Sequence, residues 1–185
     1  MLQEQYVERL KGSDLALPTV PEYLSLCAYL EKFKDRPVQD QKKLFEEARA
    51  WLGKMFKDYW LMTGTRADYH PDGSGDVIQG VGRDDSSMIK VSALVGPNRW
   101  IKEGRDGDEV IAALCGMGDI AYVNQSFKDV SGKDSYLWRM NNNPSVKQER
   151  PVVLGDDDGR FYVNANNGFG SGRALGVVTQ REKFS

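Results

Sequence analysis

Histidine and cysteine are scarce in this sequence of 185 residues, which contains one histidine, His70, and two cysteines, Cys27 and Cys115. Two cysteines are too few for the disulfide framework of a small secreted domain. A zinc site of the common cysteine and histidine types needs more ligands than these residues provide. A nucleophile that relies on a histidine base must use His70. We therefore predict no cofactor and no metal centre of these types.

Long apolar runs and a strong net charge are also lacking. No stretch of about 18 apolar residues is present, which argues against a transmembrane helix. The N-terminal segment MLQEQYVERLKG contains acidic residues and lacks the apolar region of a secretory signal peptide. With 25 basic and 27 acidic residues the formal net charge is -2, which gives no general reason to bind nucleic acid or an anionic membrane. We expect no nucleic-acid partner, no membrane partner, and synthesis in the cytoplasm.

Glycine is scarce in residues 1–62, which contain two of the 19 glycines, and this first part is predicted to be helical. Its apolar residues recur at helical spacing and predict three amphipathic helices. The second begins with Thr19-Val20-Pro21-Glu22, which matches a capping box with a proline in the first turn. The third has the widest apolar stripe, and Gly64 is predicted to cap its end. We assign residues 1–64 to a helical segment and residues 65–185 to a β-rich domain.

Short runs of β-branched and aromatic residues recur in the second part between turn signals such as Asp158-Gly159. The predicted strands are Val77–Val81, Met88–Val95, Arg99–Lys102, Ile120–Asn124, Tyr136–Met140, Val152–Leu154, Arg160–Asn164 and Ala174–Thr179. The segment Asp108–Cys115 fits either a capped helix or a strand, and its alanines favour the helix. The predicted fold class is α+β, with an N-terminal helical segment followed by a mainly antiparallel β-sandwich or barrel.

The glycine-rich stretch VNANNGFGSGRALGVV, residues 163–178, joins the predicted strands Arg160–Asn164 and Ala174–Thr179. A phosphate-binding loop would place a helix after the glycines and would follow one of two glycine spacings, and neither condition is met here. We interpret the stretch as a polar hairpin loop. The alternative is a surface loop that contacts a protein partner or a glycan through its asparagines.

A catalytic pair of Cys115 and His70 is one alternative function. A cysteine thiolate beside an imidazolium would act as a nucleophile, so the protein would be a cysteine-dependent hydrolase or amidase if the fold joins the two residues. No recognisable catalytic signature surrounds either residue. The competing interpretation is that Cys115 is a buried structural residue, as we also expect for Cys27 on the apolar face of the second helix.

Residues 68–76 resemble the first part of an EF-hand calcium loop. The oxygen ligands would come from Asp68, Asp72, Ser74 and Asp76. Gly73 stands at the position of the sharp turn, but His70 takes the place of an oxygen ligand and Gln79 replaces the bidentate glutamate. We therefore interpret the segment as an Asp-Gly turn that leads into a strand, with a calcium site as the alternative.

Two segments, LCGMGDIAYVNQS and GFGSGRALGVV, indicate a surface-binding domain. The first, residues 114–126, resembles the helix-to-strand step of C-type-lectin-like domains. The second is similar to the last strands of lectin-like tips on phage fibres. The paired cysteines of the C-type lectins are absent from this chain. The resemblance implies a domain that binds a partner at its surface.

These features favour a non-enzymatic structural or interaction protein that forms part of a larger assembly. Turn-rich β-structure with asparagine and glycine loops is typical of binding scaffolds, and we expect protein partners or self-association. The residues expected to contact a partner are Trp138, Tyr162, Asn164, Asn166, Asn167 and Arg173. The residues expected to form a helical assembly face are Trp51, Met55, Phe56, Tyr59 and Trp60. A head-decoration or tail-associated protein of a virus particle fits this profile, and a glycan- or receptor-binding module with a lectin-like β domain is the alternative.

Overall fold

The computed structural model describes residues 3–13, 15–33, 39–166, 173–174 and 177–178. This part of the chain contains five α-helices, ten β-strands and a short 3-10 helix, Ile101–Glu103. The helices are α1 (Gln3–Leu10), α2 (Val20–Lys32), α3 (Gln39–Asp58), α4 (Glu109–Cys115) and α5 (Ile120–Ser131). The strands are β1 (Leu15–Ala16), β2 (Leu61–Tyr69), β3 (Gly75–Gln79), β4 (Ser87–Val91), β5 (Arg99–Trp100), β6 (Ser135–Trp138), β7 (Gln148–Asp157), β8 (Arg160–Asn164), β9 (Arg173–Ala174) and β10 (Val177–Val178). The predicted α+β class is confirmed.

Most of the strands form one curled, mixed sheet. Its strand order is β4-β3-β2-β7-β8-β6-β5, and β9 pairs with the first residues of β2. Neighbouring strands are antiparallel except in the parallel pairs β6–β8 and β2–β9. β1 and β10 form a separate antiparallel pair. In the described part of the chain β4 and β5 lie at the two edges, so closure into the expected sandwich or barrel is not confirmed.

The sheet separates two apolar clusters that pack on its opposite faces. Adjacent residues of a strand point to opposite sides. Leu61 of β2 and Leu154 of β7 face the larger cluster, whereas the neighbouring Met62 and Val153 face the smaller one. The larger cluster is the main core, and α2, α3, α4 and α5 contribute to it. The smaller cluster receives the apolar side chains of α1, so α1 lies on the face of the sheet opposite to the other four helices.

Side-chain caps begin two of the helices that the sequence predicts, α2 and α4. The capping box of α2 is confirmed: the Glu22 N–H donates to Thr19 Oγ1 at 3.3 Å, and the Thr19 N–H donates to Glu22 Oε2 at 2.7 Å. The carboxylate of Asp108 accepts from two N–H groups in the first turn of α4, and α4 ends at Gly116 with a φ angle of 76°. Residues 108–115 thus form the capped helix that their alanines favour.

The predicted strand Ile120–Asn124 is wrong, because these residues begin α5. The side chain of Asp119 caps this helix by accepting from the Tyr122 N–H at 2.9 Å. Over the whole helix the buried apolar residues occupy positions 120, 123 and 127, which is helical spacing. A window of five residues is too short to show that period, so its β-branched residues suggested a strand.

The prediction that Gly64 caps the third helix is also wrong. α3 ends at Asp58, and Gly64 lies inside β2, a central strand that the sequence analysis did not predict. A Cβ atom at position 64 would lie 2.5 Å from the Leu17 carbonyl oxygen. Glycine therefore allows β2 to approach the segment before α2. β2 also crosses the expected boundary at residue 64, and the two-part division of the chain stays a prediction.

Most of the other predicted strands are found with shifted ends, and β8 matches the predicted Arg160–Asn164 at both ends. The last predicted strand, Ala174–Thr179, corresponds in the described residues to parts of β9 and β10. Residues 167–172 and 175–176 of the glycine-rich stretch lie outside the described residues.

Candidate functional site: an aromatic face of the sheet

The candidate site is a group of aromatic rings on the sheet face opposite to α2, α3, α4 and α5. β8 alternates between the two faces: Phe161 and Val163 enter the main core, whereas Tyr162 points to the opposite face. Tyr136 of β6 is the register partner of Tyr162, and Trp100 of β5 is the register partner of Tyr136. The alternation and the pairing therefore place aromatic side chains from three neighbouring strands side by side.

We call this group the aromatic face, and it consists of Trp60, Trp100, Tyr136, Trp138 and Tyr162. Tyr162 is at its centre, with a ring centroid 5.5 Å from that of Tyr136 and 5.6 Å from that of Trp138. Trp60 lies 5.7 Å from the same ring. Trp100 extends the group toward the sheet edge through a T-shaped contact of 5.2 Å with Tyr136. Aromatic pairs at these separations stabilise one another beyond the burial of their area.

The rings of the aromatic face differ in their exposure to solvent. Trp138 exposes 38% of its surface, and Trp100 and Tyr136 are partly exposed. Tyr162 exposes 5%. The buried central ring therefore supports the more exposed rings around it.

Trp60 connects the aromatic face with the smaller apolar cluster beneath α1. It follows α3 in the chain and lies over Gly155 of β7, where an added Cβ atom would be 3.1 Å from the indole carbon Cε3. Glycine at this position allows the indole ring to lie close to the strand.

Arg160 supplies positive charge to the aromatic face. Its guanidinium carbon lies 4.7 Å from the ring centroid of Tyr136 and 5.3 Å from that of Trp100, which are distances of cation–π contacts. Its Nη1 atom donates to the Tyr162 hydroxyl at 3.4 Å. Among the described residues, no carboxylate lies within ion-pair distance of this guanidinium.

A two-residue hairpin turn fixes the position of Arg160 at the start of β8. Asp158 and Gly159 both have positive φ angles, 44° and 76°, as in the type I′ turn that favours Asp-Gly. The turn brings Asp157 and Arg160 into register. Asp157 Oδ1 accepts from the Asp158 N–H at 3.0 Å, so this carboxylate is used within the turn.

Lys102 is a second cation beside Trp100, with its Nζ atom 5.4 Å from the ring centroid. Its charge is neutralised, because Nζ lies 2.6 Å from Oδ2 of Asp134. Hydrogen bonds from Lys102, Asn124 and Lys128 hold the pKa of Asp134 well below its ordinary value. This carboxylate therefore stays ionised and keeps the ammonium group of Lys102 paired.

Of the five rings and Arg160, sequence reasoning identified two as partner contacts, missed three, and assigned Trp60 to a different surface. Trp138 and Tyr162 were predicted to contact a partner, and both lie in the aromatic face. Trp100, Tyr136 and Arg160 were not predicted as site residues. The alternation in SYLW and RFYVN was the available signal, because it places Arg160 on the same side of β8 as Tyr162.

Of the asparagines predicted to contact a partner, Asn164 is largely buried. Asn164 ends β8 on the same side as the aromatic face, but it exposes 5% of its surface. Its Oδ1 atom accepts from the Asn166 N–H at 3.0 Å, so the amide oxygen is used within the chain. Asn167 and the side chain of Arg173 lie outside the described residues.

The residues predicted to form a helical assembly face do not lie on one surface. Trp51 of α3 exposes 53% of its surface, whereas Phe56 exposes none because it packs in the main core. Met55 and Tyr59 are partly buried against the same core. Trp60 belongs to the aromatic face on the other side of the sheet.

The geometry gives no support to a catalytic pair of Cys115 and His70. Cys115 exposes 1% of its surface, and burial raises the pKa of its thiol to about 12. His70 lies at the β2–β3 turn, where Nδ1 is 3.2 Å from Ser74 Oγ and Nε2 is 3.2 Å from Asp76 Oδ2. Both ring nitrogens therefore contact side chains other than the thiol. Cys27 is buried as well, in agreement with the structural interpretation of that residue.

The segment predicted as an alternative calcium loop forms the turn between β2 and β3. Gly73 has a φ angle of 89°, and its N–H donates to the His70 carbonyl oxygen at 3.1 Å. The carboxylates have separate partners: Asp68 contacts Arg66 and Lys147, Asp72 contacts Ser74, and Asp76 contacts His70. Within the residues that the structure describes, no three histidine, cysteine or acidic side chains converge to hold a metal ion.

Comparison of the chain with protein-family models, with curated proteins and with solved structures found no match. In the described part of the chain, no helix combines the length and the apolar character needed to cross a membrane. A functional proposal therefore depends on the geometry of the aromatic face.

Proposed function

We propose that this chain is a non-enzymatic interaction protein that contacts a protein partner within a larger assembly through the aromatic face. The observation that carries this proposal is the arrangement of Trp100, Tyr136 and Trp138 around Tyr162, with the guanidinium of Arg160 over two of the rings. A solvated sheet face usually carries polar side chains. Tryptophan, tyrosine and arginine are instead the residues that contribute most to binding at protein interfaces.

The mutual contacts of the rings also favour binding. Tyr162 contacts three of the other rings, and Trp100 rests against Tyr136. Side chains that are already ordered lose little conformational freedom when a partner covers them. The aromatic face therefore offers a large and rigid contact area at a low entropic cost.

A protein surface fits the aromatic face better than a glycan does. A pocket for a small ligand combines apolar walls with a few polar groups that converge beside them. The register partner of Trp138 is Asn164, which is buried and uses its side-chain oxygen to accept from the Asn166 N–H. The side-chain oxygen beside Trp138 is thus already used, and the available N–H donors of Arg160 lie beside Trp100 and Tyr136 instead. Glycan binding is the competing outcome of the test.

We further propose a virus particle as the setting of this assembly, with the chain as a head-decoration or tail-associated protein. The support for this setting is the sequence profile: 185 residues with balanced charge, and turns rich in asparagine and glycine. A tryptophan that exposes 38% of its surface agrees with attachment to a scaffold protein.

Affinity purification from particles or cells that contain the chain tests the proposed contact. The test variant is Trp138→Ala, and the matched control is Tyr122→Ala, because Tyr122 exposes 43% of its surface on α5. We expect Trp138→Ala to reduce recovery of the partner about tenfold or more, and Tyr122→Ala to leave it unchanged. Quantitative mass spectrometry measures the recovery.

Two results would overturn the proposal. Equal recovery of every copurified protein by Trp138→Ala and Tyr122→Ala would show that the aromatic face makes no protein contact. If the chain binds a glycan array and Trp138→Ala loses this binding without losing a protein partner, the ligand of the aromatic face is a glycan and not a protein.

A further inference from the structure

We propose that the partner segment is acidic, and that one of its carboxylates binds the guanidinium of Arg160 beside Trp100 and Tyr136. This inference rests on the proposed function and names the chemistry of the partner at the same site. Three properties of Arg160 carry it: a fixed orientation, the lack of a carboxylate partner in the described part of the chain, and apolar surroundings.

The orientation of Arg160 is fixed by contacts within the chain. Its guanidinium lies 4.7 Å from the ring centroid of Tyr136 and 5.3 Å from that of Trp100, and Nη1 donates to the Tyr162 hydroxyl at 3.4 Å. The turn at Asp158-Gly159 fixes its backbone. A planar guanidinium held in this way loses few rotamers when a ligand binds.

Arg160 lacks the ion pair that the neighbouring cations make. The neighbouring pairs are Arg99 with Asp108, Lys102 with Asp134, and Lys133 with Asp156. No described carboxylate is within ion-pair distance of Arg160, and Asp157, its register partner, accepts from the N–H of the next residue. A guanidinium has five N–H donors, and the Tyr162 hydroxyl uses one of them. Donors are therefore available for a carboxylate of another chain.

The rings beside Arg160 strengthen its attraction for an anion. Trp100 and Tyr136 exclude water from part of the guanidinium, and a charge pair is screened less in such a site than in open solvent. A carboxylate binds arginine through two parallel N–H···O bonds, and apolar side chains next to that carboxylate would cover the rings. The matching segment therefore combines an aspartate or a glutamate with apolar neighbours.

A displayed library of random peptides, selected on the immobilised full chain, tests this inference. We expect the selected peptides to be enriched in aspartate or glutamate next to an apolar residue. Each peptide is then made again with the acid replaced by its amide, and both forms are titrated against the wild-type chain and against Arg160→Gln. Removal of either charge should weaken binding about tenfold or more, and removal of both should add little to the loss caused by one.

Two control variants separate the ion pair from general effects of charge. Arg105→Gln removes the same charge from an exposed position elsewhere and should bind like the wild-type chain. Arg160→Lys keeps the charge but lacks the planar fork, so its affinity should lie between those of the wild type and Arg160→Gln. Circular dichroism spectra establish that each variant is folded.

The outcomes distinguish this inference from the proposed function. If the peptides show no acidic enrichment, or if Arg160→Gln binds them as tightly as the wild-type chain, the proposal of an acidic partner segment is wrong. Loss of binding in Trp138→Ala would still support the aromatic face in that case. If neither Trp138→Ala nor Arg160→Gln weakens binding, or if no peptide is selected, both proposals fail.

Discussion

The side-chain hydroxyl of Thr65 donates to Oε1 of Gln79 at 2.6 Å, and this pair joins four elements of the fold. Thr65 Oγ1 also accepts from the Val20 N–H at the start of α2. Gln79 Nε2 donates to the carbonyl oxygens of Ala113 and Leu114 near the end of α4. One chain of hydrogen bonds therefore fixes β2 and β3 to the ends of two helices.

We expect Thr65→Val to lower the free energy of unfolding by about 1–3 kcal/mol. The substitution keeps the shape of the side chain but leaves the Val20 N–H and the Gln79 oxygen without this buried partner. Urea unfolding followed by circular dichroism measures the change. Thr65→Ser retains the hydroxyl and is the matched control. A Thr65→Val variant that is as stable as Thr65→Ser or more stable would show that the hydrogen bonds contribute no more than the methyl group.

We expect both cysteines to resist thiol reagents in the folded protein. Burial raises the pKa of the Cys27 thiol and of the Cys115 thiol to about 12, and neither side chain exposes more than 1% of its surface. The reactive thiolate is therefore nearly absent near neutral pH. An aromatic disulfide reagent should label neither cysteine in buffer and both in denaturant. Rapid labelling of Cys115 in the folded protein would instead favour the cysteine-dependent enzyme.

We expect the Asp134 carboxylate to contribute stability that is lost in acid. Hydrogen bonds from Lys102, Asn124 and Lys128 hold its pKa below the ordinary value of 3.8. The unfolded chain therefore takes up the proton first as the pH falls, and stability decreases from about pH 3.8 down through the lowered pKa. Thermal unfolding of the wild type and of Asp134→Asn should converge in this range. Asp84→Asn removes an exposed carboxylate and is the control. A difference in unfolding temperature between the wild type and Asp134→Asn that does not change with pH would refute the proposed linkage.

We expect the chain to self-associate through α3. Leu44 and Trp51 expose 62% and 53% of their surfaces, and their spacing of seven residues places them on the same side of the helix. Light scattering after gel filtration, over a range of concentrations, should give masses above the 20.8 kDa of one chain. Trp51→Ser should lower the mass toward that of a monomer, whereas Trp138→Ala should not. A monomeric mass at every concentration would contradict self-association. Assembly would then require contacts with a different protein.

The parts of the fold that the sequence predicts well are those with local signals. The cap at Thr19, the cap at Asp108 and the Asp158-Gly159 turn each depend on neighbouring residues, and all three are found. β2 has no such signal. It is buried on both faces along most of its length, so its residues lack the alternation of a half-buried strand, and Gly64 interrupts its apolar pattern.

The aromatic face could be predicted only in part, because long-range pairing creates it. Trp100 and Tyr136 are 36 positions apart in the sequence and meet because β5 pairs with β6. Tyr136 meets Tyr162 through a parallel pairing of β6 with β8, although β7 lies between them in the chain. No periodicity within a single segment specifies either pairing.

During synthesis the strands of the sheet emerge from the ribosome in a fixed order. β2, β3 and β4 follow one another and can pair as hairpins soon after they emerge. The strand on the other side of β2 from β3, β7, arrives much later, because Leu61 pairs with Leu154, 93 positions further along. Until β7 has been made, the nascent chain exposes an open strand edge and the apolar side chains that the main core will bury. A chain that stops before residue 148 would therefore keep this exposed edge and be prone to aggregate.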